Sequence, residues 1–214
     1  MPNKSENISM SVIKRLPRYY RFLGNLKKNG VVRISSKELS SKMGFTASQI
    51  RQDLNCFGGF GQQGYGYNVE QLYNEIGVIL GVNNGNKAII IGMGNLGKAI
   101  ASHMKFAKSG FNIIGLFDSD ENIAGEIVNG MEISPMSSLD DFCKSNSPKV
   151  AVLCIPERAA ENIVNELVSL GIKNFWNFSH YDVAANFPGT ISENVHLNDS
   201  LMTLSYQMMH NEEE

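Results

Sequence analysis

The sequence predicts an α/β chain of two units: a small winged helix-turn-helix unit, then a parallel-sheet unit followed by a separate C-terminal helix. Three observations carry this. Between residues 35 and 67, two short capped helical segments lead into a glycine-studded stretch with alternating aromatics. From Lys87 onward, buried strands alternate with amphipathic helices, the pattern of a parallel sheet. Charge divides at the same place. Residues 1–80 hold 11 Lys+Arg against 5 Asp+Glu, and residues 81–214 hold 8 against 16, so the net −2 conceals a basic front and an acidic back. Such a division places a polyanion at the front half alone.

Composition narrows the class further. The 214 residues suit one small and one medium unit, and 43% hydrophobic content is enough for ordinary cores. No apolar run reaches the roughly 18–20 residues of a membrane span, and Met1-Pro-Asn-Lys-Ser-Glu6 lacks the apolar stretch of a secretory leader. Cys56, Cys143 and Cys154 are far apart and odd in number. That argues against a disulfide framework and a zinc site, so no metal is expected and a cytoplasmic setting is.

In the front half, Pro17 suits the first residue of a helix running to about Asn29, with Leu23 and Leu26 inward and Gly30 as a stop. Ser35 and Glu38 fit a capping box for a helix ending at Gly44. Thr46 and Gln49 fit a second, for a helix to about Phe57 with Ile50, Leu54 and Phe57 on the core side. Its other side shows Ser48, Gln49, Arg51, Gln52 and Asn55. These suit a major groove, because Arg can grip guanine O6/N7 and Gln or Asn can grip adenine N6/N7. The glycine-rich run from Gly58 to Tyr67 then reads as a hairpin, or wing, with Gln62 and Gln63 at a tip able to reach minor-groove acceptors. Asn68 opens a further helix with Leu72, Ile76 and Ile79 on one side. The expected boundaries are a DNA-binding unit over 1–80, a linker over 81–86, a sheet unit over 87–198, and a C-terminal dimerisation helix with an acidic tail over 199–214.

In the back half, Ala88–Ile91 reads as a strand running into Gly92-Met93-Gly94-Asn95-Leu96-Gly97, which opens a helix over Leu96–Lys108 with Ala99, Ile100 and His103 inward. A second strand, Phe111–Phe117, ends at Asp118, 21 positions after Gly97. This is the fingerprint of a Rossmann-like dinucleotide site. Its glycines permit a tight turn and a close backbone approach to pyrophosphate, and the helix N-terminus supplies amide donors. Asp118 would bond both ribose hydroxyls and repel a 2′-phosphate, which favours NAD over NADP. Val150–Ile155 reads as a third strand, Arg158–Leu170 as a helix and Asn174–Phe178 as the next strand. Loops after such strands face the ligand crevice, which places Cys154, Pro156, Asn177 and Phe178 at the nicotinamide end, with Trp176 beside them. A small core residue is the alternative for Cys154. Val195–Leu197 reads as a short strand, and a methionine-rich helix from about Asp199 either meets a partner or docks on its own unit. No His/Asp or Lys/Tyr pair stands at a spacing for acid–base work, and no substrate-sized second domain follows, so no catalytic residues are assigned.

With both halves in view the chain resembles the Rex family of redox-sensing repressors. The matching stretches are Lys14–Arg21, Arg51–Leu54 with Phe57-Gly58, Gly64–Tyr67, Gly92–Gly97, Phe117-Asp118, Ile155-Pro156 and Asn177-Phe178. The resemblance implies a homodimer with exchanged C-terminal helices that binds palindromic operator DNA and is released by NADH, with NAD+ as the competing, non-releasing form. Where many relatives carry Lys, a Lys-Arg wing tip and Ser-Tyr, this chain has Gln52, Gln62-Gln63 and Asn55-Cys56. That implies a shifted operator preference and less phosphate-driven affinity. Where some relatives have an aspartate that pairs with the DNA-binding unit, this chain has His196. The rival expectations are a small NAD-dependent oxidoreductase with an accessory helical domain and a CoA- or nucleotide-binding regulator without redox sense.

Overall fold

The computed structural model describes residues 8–58, 61–62 and 65–211. The chain divides into two compact units, Met1–Asn83 and Asn84–Glu214. The expected wing-tip residue Gln63 and the acidic tail Glu212–Glu214 lie outside the described residues.

The first unit contains α1 (Met10–Lys28), β1 (Arg33–Ile34), α2 (Ser36–Met43), α3 (Ala47–Asn55), β2 (Gly61–Gln62), β3 (Gly66–Asn68) and α4 (Val69–Leu80). Helix α1 starts seven residues before Pro17, which therefore sits inside it rather than at its start. Val12, Leu16, Tyr19, Leu23 and Leu26 form one continuous buried stripe through the proline. Burial of that stripe outweighs the single backbone hydrogen bond that proline cannot donate. Ser35 caps α2 with a complete box shared with Glu38, and Asn68 caps α4 through Gln71 N–H. Strands β2 and β3 form the antiparallel hairpin of the wing, with Gly61 opposite Tyr67. Strand β1 completes the sheet in the order β1-β3-β2. At two residues it is too short to leave an alternation in the sequence. Leu39, Met43, Ile50, Leu54, Leu72 and Ile76 join the α1 stripe in one core.

The second unit contains β4 (Asn86–Ile91), α5 (Asn95–His103), β5 (Phe111–Asp118), β6 (Ile127–Val128), β7 (Met131–Pro135), α6 (Leu139–Asn146), β8 (Val150–Leu153), α7 (Glu157–Ser169), β9 (Asn174–Asn177), α8 (Val183–Asn186), β10 (Ile191–Asn194) and α9 (Leu197–Asn211). Among the described residues its sheet runs β10-β9-β8-β4-β5-β7-β6, parallel throughout except for the β6–β7 pair. Ile89 and Ile91 point into a core with residues of α6 and α7, while Ile90 and Val152 point to the α5 side. Burial on both faces explains the unbroken apolar run of β4.

Three expectations change here. Helix α5 stops at His103, Met104 is extended, and a 3-10 turn over Phe106–Ser109 replaces the rest of the helix. Its inward residues are Gly97, Ile100 and Ala101, whereas Ala99 and His103 are exposed. The phase is set by Gly97, which docks against the end of β4 and rotates Ala99 and His103 outward. The strand expected at Val195–Leu197 lies instead at Ile191–Asn194, paired with β9 from Ile191 opposite Asn174 to Asn194 opposite Asn177. An exposed edge strand has no buried face to pattern its sequence, and Leu197 already begins α9. The strand at Val150, read as the third of its sheet, is preceded by β6 and β7.

Candidate functional site

The ends of β4, β5 and β8 meet the start of α5 around a cleft of about 410 Å³. Gly92 lies at φ +92°, and a Cβ there would stand 2.5 Å from the Cys154 carbonyl oxygen. A Cβ on Gly97 would stand 1.9 Å from the Gly92 carbonyl oxygen. These two glycines let strand, strand and helix approach one another. Gly94, the N-cap of α5, has nothing within 4 Å of where its Cβ would be, so the backbone stays open to a ligand. Gly94, Asn95 and Leu96 line the cleft with Gly92. Met93 contributes only its backbone, because its side chain is buried on the α5 side of the sheet.

Asp118 ends β5 opposite this loop. Its Oδ2 accepts the Met93 N–H and its Oδ1 accepts the Asp120 N–H at 2.8 Å. The carboxylate is thus held at the cleft wall by backbone donors, with lone pairs left for a ligand's hydroxyls. Cys154 and Pro156 also line the cleft. Burial pushes the Cys154 thiol up to about 12, so it stays protonated near neutral pH and serves as an apolar wall. Asn177 is differently employed. Its amide donates to the Tyr181 carbonyl (2.8 Å) and to Asn194 Oδ1 (3.0 Å), while its own oxygen accepts from Ser179 N–H (3.0 Å) and Ser179 Oγ–H (2.6 Å). That knot ties β9 to β10 and to the following loop. Phe178 packs on Trp176 at 4.7 Å between ring centroids. Trp176 itself lines a second, apolar cavity of about 390 Å³ with Phe106, Val152 and Ile191, not the cleft beside the glycine loop. The cleft includes Met136, Ala159 and Ile163, which sequence reasoning missed. Ala159 and Ile163 are spaced i, i+4 on α7, a signal that marks a helix face but not what it faces.

In the first unit, α3 exposes Ser48, Arg51, Gln52 and Asn55. Thr46 caps it by accepting the Gln49 N–H at 3.1 Å, which is only half of the expected box. Gln49 is half-buried beside that exposed face, and its side chain donates to Asp53 Oδ1 at 2.9 Å. Asp53 is 1% exposed and also accepts two bonds from Arg15, both at 2.7 Å, and one from the Tyr19 hydroxyl at 3.0 Å. Burial raises the Asp53 carboxyl, but the bonds from Arg15, Gln49 and Tyr19 together outweigh it and hold the group below the usual carboxylate range. This cluster pins α3 to α1. Arg51 reaches Ser36 Oγ at 3.1 Å, and Arg33 lies beside the exposed Tyr65 ring, bonding its carbonyl at 3.3 Å. Gln62 lies in β2 of the wing. Among the described residues, no helix is long and apolar enough to cross a membrane, and no group of three or more His, Cys, Asp or Glu could hold a metal ion.

Comparisons with known proteins follow the same division. Residues 7–55 match a family model described as a putative DNA-binding protein N-terminus, and residues 83–181 match a CoA binding domain. A redox-sensing transcriptional repressor Rex of Clostridium perfringens is 51% identical over 210 residues, covering 98% of this chain and 98% of that protein. Its counterpart in Clostridioides difficile is 53% identical over 204 residues, covering 95% and 97%. Among solved structures, RSP in complex with beta-NAD+ and operator DNA superposes with a TM-score of 0.88 at 52% identity, covering 97% of this chain and 95% of that one. RSP in complex with beta-NADH gives 0.86 at 49%, covering 96% of each. With identity of this order across both units, the chain belongs to the Rex family of redox-sensing transcriptional repressors.

Proposed function

We propose that this chain is a DNA-binding repressor that senses the NADH/NAD+ ratio and lets go of its palindromic operator when NADH binds. The observation that carries this reading is the Asp118 carboxylate, anchored across from an open glycine loop, in a chain that also presents a capped, polar helix face at α3. Support comes from the RSP structures with NAD+ and operator DNA and with NADH. It acts through differential binding and needs no turnover.

The residues fit the coenzyme. Backbone N–H groups at the start of α5 would hold a pyrophosphate, and Asp118 would take the ribose hydroxyls. Cys154 and Pro156, which line the cleft, would supply apolar surface at the nicotinamide end. The bound coenzyme supplies a ring that is cationic when oxidised and neutral when reduced. An apolar wall penalises the unpaired cation and favours the reduced form. The chain works as a homodimer through α9, whose Leu201, Met202, Leu204, Met208 and Met209 are all at least half exposed. In the NADH-bound dimer the two α3 helices would no longer match half-sites roughly 34–36 Å apart.

The test is linkage. A switch from mostly bound to mostly free requires about 5 kcal/mol of bias, and operator DNA must weaken NADH binding by the factor by which NADH weakens operator binding. Both affinities are measured by anisotropy and tryptophan fluorescence, with NAD+ and NADPH as controls. Equal NADH affinity with and without operator overturns the reading.

Two substitutions separate the sites. Arg51→Ala is expected to weaken operator binding by about tenfold or more with NADH affinity unchanged; loss of both indicates misfolding. Asp118→Ala is expected to weaken NADH by about tenfold, in line with a lost charged hydrogen bond, and to narrow the preference over NADPH. An unchanged preference in parallel titrations removes Asp118 from the ribose role.

A further inference from the structure

The Asp53 cluster does more than hold two helices together. A carboxylate only accepts hydrogen bonds, so the Gln49 amide must turn its NH2 group toward Asp53, and its orientation is decided by chemistry. One N–H serves Asp53. With the N–H trans to the oxygen in that role, the carbonyl oxygen and the second N–H form the remaining edge of the half-buried amide. Gln52 and Asn55, exposed on the same helix, have no side-chain partner among the described residues and keep their rotamer freedom.

In a major groove, an amide edge offering one acceptor beside one donor matches adenine, which presents N6–H and N7. A side chain already held in one orientation loses little entropy on binding, so its preference is sharp. We propose that Gln49 is a specificity-determining residue that reads one adenine in each operator half-site, with Asp53 as the positioning residue that fixes its amide. This rests on the operator-binding reading above and names the residue that makes it selective.

The test begins with a duplex selected by the full-length protein from a random-sequence pool. Each adenine of the selected half-site is replaced in turn by 7-deazaadenine, which lacks the N7 acceptor. Wild type is expected to lose about tenfold in affinity at one position, the scale of one good base contact. Gln49→Ala should bind the unmodified duplex about tenfold more weakly and be indifferent to 7-deazaadenine at that position, while responding as wild type does elsewhere. Asp53→Asn, which keeps an acceptor but no longer dictates the direction of the Gln49 amide, should lower discrimination at that position and leave the salt dependence of binding unchanged. If Gln49→Ala keeps the wild-type response at every adenine, or weakens all duplexes uniformly, the assignment is overturned. A wild-type protein that enriches no sequence at all removes the operator-binding reading beneath it, a result distinct from either.

Discussion

Gly97→Ala is expected to disable the coenzyme site and destabilise the unit that carries it. The added methyl would stand 1.9 Å from the Gly92 carbonyl oxygen and 3.0 Å from its carbon, and both contacts are to backbone. No side chain can swing aside. The helix must lift from the strand end, moving the amide donors at its start. Overpacking of this kind costs about 3 kcal/mol, the upper end of the usual range, which for a unit of this size lowers the melting temperature by about 10 °C. Displacing donors by even 1 Å costs on the order of 100-fold in a positioned interaction, and NADH affinity should fall by at least that. Gly94→Ala is the control, because its Cβ meets nothing within 4 Å. It should melt like wild type while binding NADH less well. Calorimetry and NADH titration of the two variants decide the matter, and a Gly97→Ala protein indistinguishable from wild type in both refutes the close approach.

Asp53→Ala should have the largest effect in the first unit. It removes the acceptor of four hydrogen bonds at once and leaves the Tyr19 hydroxyl, on a residue 1% exposed, without a partner. Arg15 retains 25% side-chain exposure and can partly hydrate, which limits the loss. The expected cost is about 3 kcal/mol, typical of breaking a buried pair by deleting one member. In so small a unit this lowers the melting temperature by about 15 °C. The sign with pH follows from the depressed carboxyl. Its stabilisation is fully present above the unfolded value of about 3.9 and is lost as pH falls through the lower folded value. The difference in stability between wild type and Asp53→Ala should therefore shrink only in that acid range. A constant difference down to pH 2 assigns the effect to packing instead.

The parts legible from sequence alone are those where local chemistry leaves one solution. Ser35 with Glu38 marks a helix start because the two donors have nowhere else to go. Gly92 to Gly97 marks a tight strand-to-helix turn because only glycines permit the approach. The misses share a different cause. Strand β10 is an exposed edge with no buried face, so its sequence carries no period. Strand β1 is two residues long. The end of α5 depends on where Gly97 docks, and β7 takes its place by pairing with β5, with β6 folded back on it as a short hairpin.

The candidate residues divide in the same way. Asp118, Gly94 and Pro156 could be named from spacing, because a parallel sheet places every strand end on one rim. Asn177 could be named but not given its work, since its four hydrogen bonds are shared with Tyr181, Ser179 and Asn194, and the last is brought in by an edge strand that leaves no pattern. The hydrogen bond from Gln49 to Asp53 was equally hidden, because it answers to a carboxylate buried by α1, 34 to 38 residues away. Sequence by itself determined the two kinds of unit, their charge and the glycine loop, all of which follow from neighbours within a few turns of chain. Only the tertiary structure decided which polar groups are engaged and which are free, because a hydrogen bond depends on what arrives from elsewhere in the chain.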